Sequence, residues 1–83
     1  MNVFPNPANA GSIISFQCEK PEVIKITVTD LQGREVGVLF NGLSAAGMNH
    51  ISLKTTGLSN GIYFLNLNAG NSCETMKIVI VNE

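Results

Sequence analysis

Val23-Ile24-Lys25-Ile26-Thr27-Val28-Thr29-Asp30-Leu31-Gln32-Gly33 is the stretch on which the reading of the fold turns. Ile24, Ile26 and Val28 alternate with Lys25, Thr27 and Thr29, the period of two that lets a strand bury one face and wet the other. Asp30-Leu31-Gln32-Gly33 then reads as a type I turn, in which Asp accepts locally and Gly takes the positive φ. A strand of this kind is stable only inside a sheet, so its neighbours must supply the rest.

Working outward, the same signal recurs roughly every ten residues, punctuated by Gly, Pro, Asn and Asp, and no stretch holds a 3.6-residue apolar period. Toward the N-terminus, Glu19-Lys20-Pro21-Glu22 is a turn. Residues 13–18 form a strand with Ile14, Phe16 and Cys18 inward and Ser15 and Gln17 outward. Residues 2–4 form a short first strand, stopped by Pro5-Asn6-Pro7, whose prolines lack the ladder N–H. Toward the C-terminus, residues 34–40 return as a fourth strand weakened by Gly37, and residues 41–47 read as a glycine- and alanine-rich connection. Residues 49–55 form the fifth strand, with Ile51 and Leu53 inward and His50, Ser52 and Lys54 outward.

Leu58-Ser59-Asn60-Gly61 leads into the sixth strand, residues 62–68. Ala69-Gly70-Asn71-Ser72 is a tight hairpin into the seventh, residues 73–81. The expected architecture is all-β, an immunoglobulin-like β-sandwich of about seven antiparallel strands in a single domain, residues 1–83. Gly61-x-Tyr63-x-Leu65 has the spacing of a tyrosine corner, with the ring buried and the hydroxyl bonded back to the preceding turn.

The last strand carries more apolar residues than one face requires. Met76, Ile78 and Ile80 suffice for a core face, which leaves Val79 and Val81 to point at whatever covers the other side. A final strand with two apolar faces could be read by a partner.

Composition narrows the function classes. The chain has 83 residues, 45% hydrophobic, with eight glycines, no tryptophan and a net charge of -1. A chain of this size buries roughly 60–65% of its unfolded surface, enough for one core. Five Lys plus Arg against six acids give no basic footprint for nucleic acid. No window approaches the ~18 apolar residues of a membrane span. Met1-Asn2-Val3-Phe4-Pro5 has neither the basic region nor the apolar stretch of a signal peptide, consistent with a fragment of a longer exported precursor.

Cys18 and Cys73 match no metal or redox spacing. They read either as two free thiols acting as small apolar residues or as a disulfide, which needs an oxidising compartment. An up-and-down count brings the end of the second strand and the start of the seventh to the same end of the sandwich, so a buried Cys18–Cys73 bridge or close pair is the expectation.

No catalytic constellation emerges, and the chain reads as a non-enzyme without cofactor or metal. The single histidine, His50, falls on an outward strand position, which suits a polar surface role better than catalysis. Glu19, Glu22, Asp30, Glu35, Glu74 and Glu83 are scattered over turns and strand ends, and none forms a calcium loop. Of the aromatics, Phe64 is the one that alternation places outward, thin support for a sugar-stacking platform. A carbohydrate-binding or adhesion sandwich attached to an extracellular enzyme is the alternative reading.

Four segments, in order and covering nearly the whole chain, resemble the C-terminal sorting domain of the type IX (Por) secretion system, type A. They are Val3-Phe4-Pro5-Asn6-Pro7; Ile26-Thr27-Val28-Thr29-Asp30-Leu31-Gln32-Gly33-Arg34-Glu35-Val36; Leu58-Ser59-Asn60-Gly61-Ile62-Tyr63-Phe64-Leu65; and Lys77-Ile78-Val79-Ile80-Val81. The resemblance implies a domain fused behind an N-terminal cargo in Gram-negative bacteria. Such a precursor crosses the periplasm and is directed through an outer-membrane translocon. A sortase-like peptidase commonly removes the domain and leaves the cargo on the cell surface. Carried over, the recognition element is Lys77, Ile78, Val79, Ile80 and Val81 with the final Asn82 and Glu83. Pro5, Asn6 and Pro7 would fix entry to the first strand, and Gly61 and Tyr63 would be structural. Family members often finish on a basic residue, whereas this chain finishes Asn82-Glu83.

Overall fold

The computed structural model describes residues 1–9, 11–53 and 57–81. Those residues form seven strands: β1 Asn2–Phe4, β2 Ile13–Cys18, β3 Glu22–Thr29, β4 Glu35–Ser44, β5 Gly47–Ser52, β6 Gly61–Ala69 and β7 Ser72–Ile80. One sheet has the order β1-β2-β5 and the other β4-β3-β6-β7, with all strand pairs antiparallel. The arrangement is all-β and consistent with the immunoglobulin-like sandwich expected.

The core lies between the sheets and follows the alternation. Ile14, Phe16 and Cys18 of β2 face Ile24, Ile26 and Val28 of β3, Tyr63 and Leu65 of β6, and Ile78 and Ile80 of β7. Leu53 joins this core from just beyond β5, while Ile51 packs at its margin. His50 and Ser52 are exposed, as their parity requires, and Lys54 lies outside the described residues. Thr27 is outward by parity yet buried, because Asn66 on β6 lies over it; Asn66 Nδ2 donates to Thr27 Oγ1 (3.5 Å) and Thr29 Oγ1 (3.2 Å).

Two tight turns carry the expected chemistry. Gly33 sits at φ 82° and donates its N–H to the Asp30 carbonyl at 3.0 Å, closing the β3–β4 turn. Between β6 and β7, Ala69 pairs with Ser72, so the loop is Gly70-Asn71 alone. Gly70, at φ 58°, takes the positive φ that a two-residue hairpin of type II′ asks of its first residue.

The structure corrects three expectations. β4 does not stop at Phe40 but runs to Ser44, and β5 begins at Gly47, so the supposed connection over residues 41–47 shrinks to Ala45-Ala46. The physical reason is composition: Asn41-Gly42 carries turn chemistry, yet residues 41–44 pair with β3 in unbroken register. Two bulges lie earlier in β4, where Leu39 is skipped between the Ile26–Phe40 and Thr27–Val38 pairs and Val36 between Val28–Gly37 and Thr29–Glu35, and each breaks the period of two. Third, Phe64 is not the principal outward aromatic. It is half-buried, whereas Phe4 is 80% exposed on the outer face of the three-stranded sheet.

Candidate functional site: the terminal strand and its surroundings

β7 divides its side chains cleanly. Ile78 and Ile80 are fully buried and Met76 packs against the core. Thr75, Lys77 and Val79 point to the outer face of the four-stranded sheet. There Phe64 is the register partner of Lys77, Ile62 of Val79, and Thr29 of Phe64. The outward side of the strand thus presents a small apolar ridge, Ile62, Phe64 and Val79, beside the Lys77 ammonium. Val81, just beyond the strand, is 43% exposed. Asn82 and Glu83 lie outside the described residues.

The Pro5-Asn6-Pro7 segment does more than end β1. It carries the chain from the three-stranded sheet across to the outer edge of β7, with both X-Pro bonds cis. There Ala8, with no exposed surface, donates its N–H to the Val79 carbonyl at 2.7 Å and accepts from the Val81 N–H at 2.9 Å. Buried Ser12 holds the crossing in place: its hydroxyl donates to the Pro5 carbonyl at 2.9 Å and accepts from the Asn9 N–H at 3.0 Å. An alanine in a proline-rich turn has no periodic signal, so sequence reading had no means of finding this contact.

Two more motifs are gathered near the same end. In the tyrosine corner, the buried Tyr63 donates its hydroxyl to the Ser59 carbonyl at 2.7 Å, and Gly61 and Tyr63 pair in register with Ile80 and Ile78. β3 and β7 both run antiparallel to β6, so the Asp30 turn after β3 lies at the same end of the sheet as the end of β7. Asp30 Oδ1 accepts from the Gln32 and Arg34 amides, both at 2.9 Å, and Oδ2 from Arg34 Nε at 2.9 Å. The Arg34 amide bond, with further help from the Arg34 side chain and the Gln32 amide, lowers the Asp30 pKa below its ordinary value against the opposing effect of desolvation. This is turn chemistry, with the carboxylate occupied by its own loop.

The cysteines are not bridged, although both border one cleft between the sheets. Cys18 is buried and Cys73 exposed, both as free thiols. Parity explains this. Cys73 lies three residues from inward Met76 and so shares the outer face with Thr75 and Lys77, whereas Cys18 points into the core with Ile14 and Phe16. Cys18 Sγ instead lies 3.2 Å from Ser44 Oγ, and that hydroxyl donates to the Glu22 carbonyl at 3.0 Å, tying the β4–β5 crossing to the end of β2.

At this opposite end the sheets part to leave a cleft of about 590 Å³, lined by Phe16, Cys18, Leu67 and Ala69 and rimmed by Glu19, Glu22 and Glu74. His50 is remote from it on an exposed strand face, with Nδ1 2.9 Å from Ser15 Oγ. Among the described residues no cluster of three or more His, Cys, Asp or Glu could hold a metal ion, and no helix is long and apolar enough to cross a membrane.

No curated protein and no solved structure matches the chain. The family model described as secretion system C-terminal sorting domain matches residues 2–82, a span that takes in the proline crossing, the Asp30 turn, the tyrosine corner and β7. With nearly its whole length matched, the chain belongs to the family of secretion system C-terminal sorting domains, the sorting signals of type IX secretion.

Proposed function

We propose that this domain is an address read by protein–protein recognition at the outer-membrane translocon, and that the outward side of its terminal strand is what is read. On this reading a cargo fused on the N-terminal side is carried from the periplasm to the exterior. A sortase-like peptidase then releases the cargo or attaches it to the surface. The observation that carries the proposal is the division of β7: Ile78 and Ile80 hold the fold, while Lys77, Val79 and Val81 stay available beside Ile62 and Phe64. Exposed apolar side chains gathered beside a charge are a feature of interaction surfaces. The final Asn82 and Glu83 belong to the same recognition element.

Deleting the whole strand would remove core residues, so the test uses outward substitutions. A reporter fused ahead of the chain should reach the medium or cell surface in a strain with the type IX machinery and stay inside one without it. Lys77→Glu combined with Val79→Thr should cut that export while leaving the folded fraction intact. Undiminished export from the folded double variant would remove the recognition role from this face.

A second reading has one observation in its favour. Phe4 lies exposed beside Ile13, next to the row Asn2, Ser15 and His50 on the outer face of the three-stranded sheet, an aromatic flanked by hydrogen-bonding groups. Specific binding on a glycan array, abolished by Phe4→Ala, would establish it as a carbohydrate-binding module.

A further inference from the structure

Backbone geometry at the edge of β7 points to a mode of docking as well as a place. In a strand, successive residues direct their N–H and C=O groups to opposite sides. Val79 and Val81 direct theirs away from β6, since they bond Ala8. Thr75 and Lys77 share that parity and therefore also direct both backbone groups outward. β7 closes the order β4-β3-β6-β7, so among the described residues no neighbouring strand lies beside them. Ala8 bridges the strand only at Ile80.

The other edges are blunted. β1 has three residues and β5 six, and β4 is interrupted by two register shifts; β7 runs nine residues beside β6 in continuous register. Short length and bulges are the means by which proteins protect open edges from added strands. The long, regular β7 edge lacks them, and at Val79 and Val81 its outward groups already bond Ala8 at 2.7 and 2.9 Å.

We infer that the secretion machinery binds this domain by strand addition: an extended segment of about five residues pairs with the β7 edge from Cys73 to Lys77 and abuts the Ala8 crossing at Val79. This rests on the sorting reading above. The added strand brings a carboxylate opposite Lys77, beside the ridge of Ile62, Phe64 and Val79. Lys77 discourages indiscriminate pairing between copies, since a lysine on an edge strand opposes association with anything that does not neutralise it.

Proline at position 75 tests the backbone directly. Thr75→Pro removes one outward N–H without deleting a backbone bond to β6; it also loses the hydroxyl bond to Asn66 Oδ1 (3.1 Å), which Thr75→Val loses equally while keeping that N–H. In the reporter fusion, Thr75→Pro should lower export by roughly tenfold or more, the scale of one lost hydrogen bond at an interface, while Thr75→Val exports normally. A folded Thr75→Pro variant that exports like the parent overturns strand addition and leaves the sorting reading standing. Failure of the parent fusion to export brings down both.

Should Thr75→Pro unfold, amide exchange on the parent fusion decides. The Thr75 and Lys77 amides should exchange quickly alone and roughly tenfold more slowly with solubilised outer membranes that contain the translocon. Unchanged exchange on binding overturns the inference. Protection that grows with fusion concentration in the absence of membranes overturns it too, since the added strand is then a second copy.

Discussion

β4 and β7 border the same sheet, yet β4 meets β3 across two bulges while β7 runs beside β6 without a break in register. The bulges turn successive side chains of β4 out of phase, so Val36 and Val38 are exposed while Leu39 and Phe40 both pack against the core. β7 keeps strict parity, and each side chain has one of two jobs. The comparison teaches that an irregular edge protects itself by shape, whereas a regular edge stays available and must be guarded or used.

The largest expected effect comes from the inward side of β7. Ile78→Ala or Ile80→Ala empties a fully buried site and should cost about 2–5 kcal/mol. In a domain of this size that lowers Tm by roughly ten degrees or more in a circular-dichroism melt. A shift no larger than that of Val38→Ala on β4 would erase the distinction between the strands.

Next is the tyrosine corner that ties β6 to the turn before it. Tyr63→Phe keeps the ring in the core and removes only the bond to the Ser59 carbonyl. The expected loss is about 1 kcal/mol in denaturant unfolding, with an unchanged m-value. An unchanged stability would show that the corner adds nothing to the β7 side of the sheet.

A smaller effect lies in the turn leading to β4. The folded state lowers the Asp30 pKa, chiefly through the Arg34 amide, so the resulting stabilisation is present above the unfolded-state pKa. It is lost as pH falls through the lowered folded-state value. Asp30→Asn should flatten that acidic part of the stability profile and converge with the parent once both states are protonated. Parallel profiles across the whole acid range would show that the carboxylate contacts are not coupled to folding.

The smallest effect is expected on the outer side of β4. Val38→Lys places a charge at a half-exposed position on the bulged edge and should change stability by no more than about 0.5 kcal/mol. Export of a reporter fusion should also be unchanged. A loss of export from this variant would move the recognition surface to β4.

Much of this was legible in the residues. The alternation of β2, β3 and β7, the Asp30 turn, the Gly70-Asn71 hairpin and the tyrosine corner are local patterns, each set by side chains a few positions apart. The two faces of β7 were legible for the same reason. So was the parity of Cys73, three residues from inward Met76: the end of β2 and the start of β7 meet at one cleft, but proximity of strand ends does not put two thiols on facing surfaces. The end of β4 was not legible, because Asn41 and Gly42 favour turns and only their pairing with β3 makes them strand.

By itself the sequence determined which residues face inward, where the chain turns, and to which family of sorting domains it belongs, because these depend on short-range periodicity and motif order. The tertiary structure alone decided that β7 lies at an edge, that Ala8 closes one end of that edge, and that Phe4 rather than Phe64 is the exposed aromatic. Those facts depend on which strands become neighbours. Neighbours are selected by the packing of two whole sheets, which brings Ala8 to Ile80 across nearly the full length of the chain.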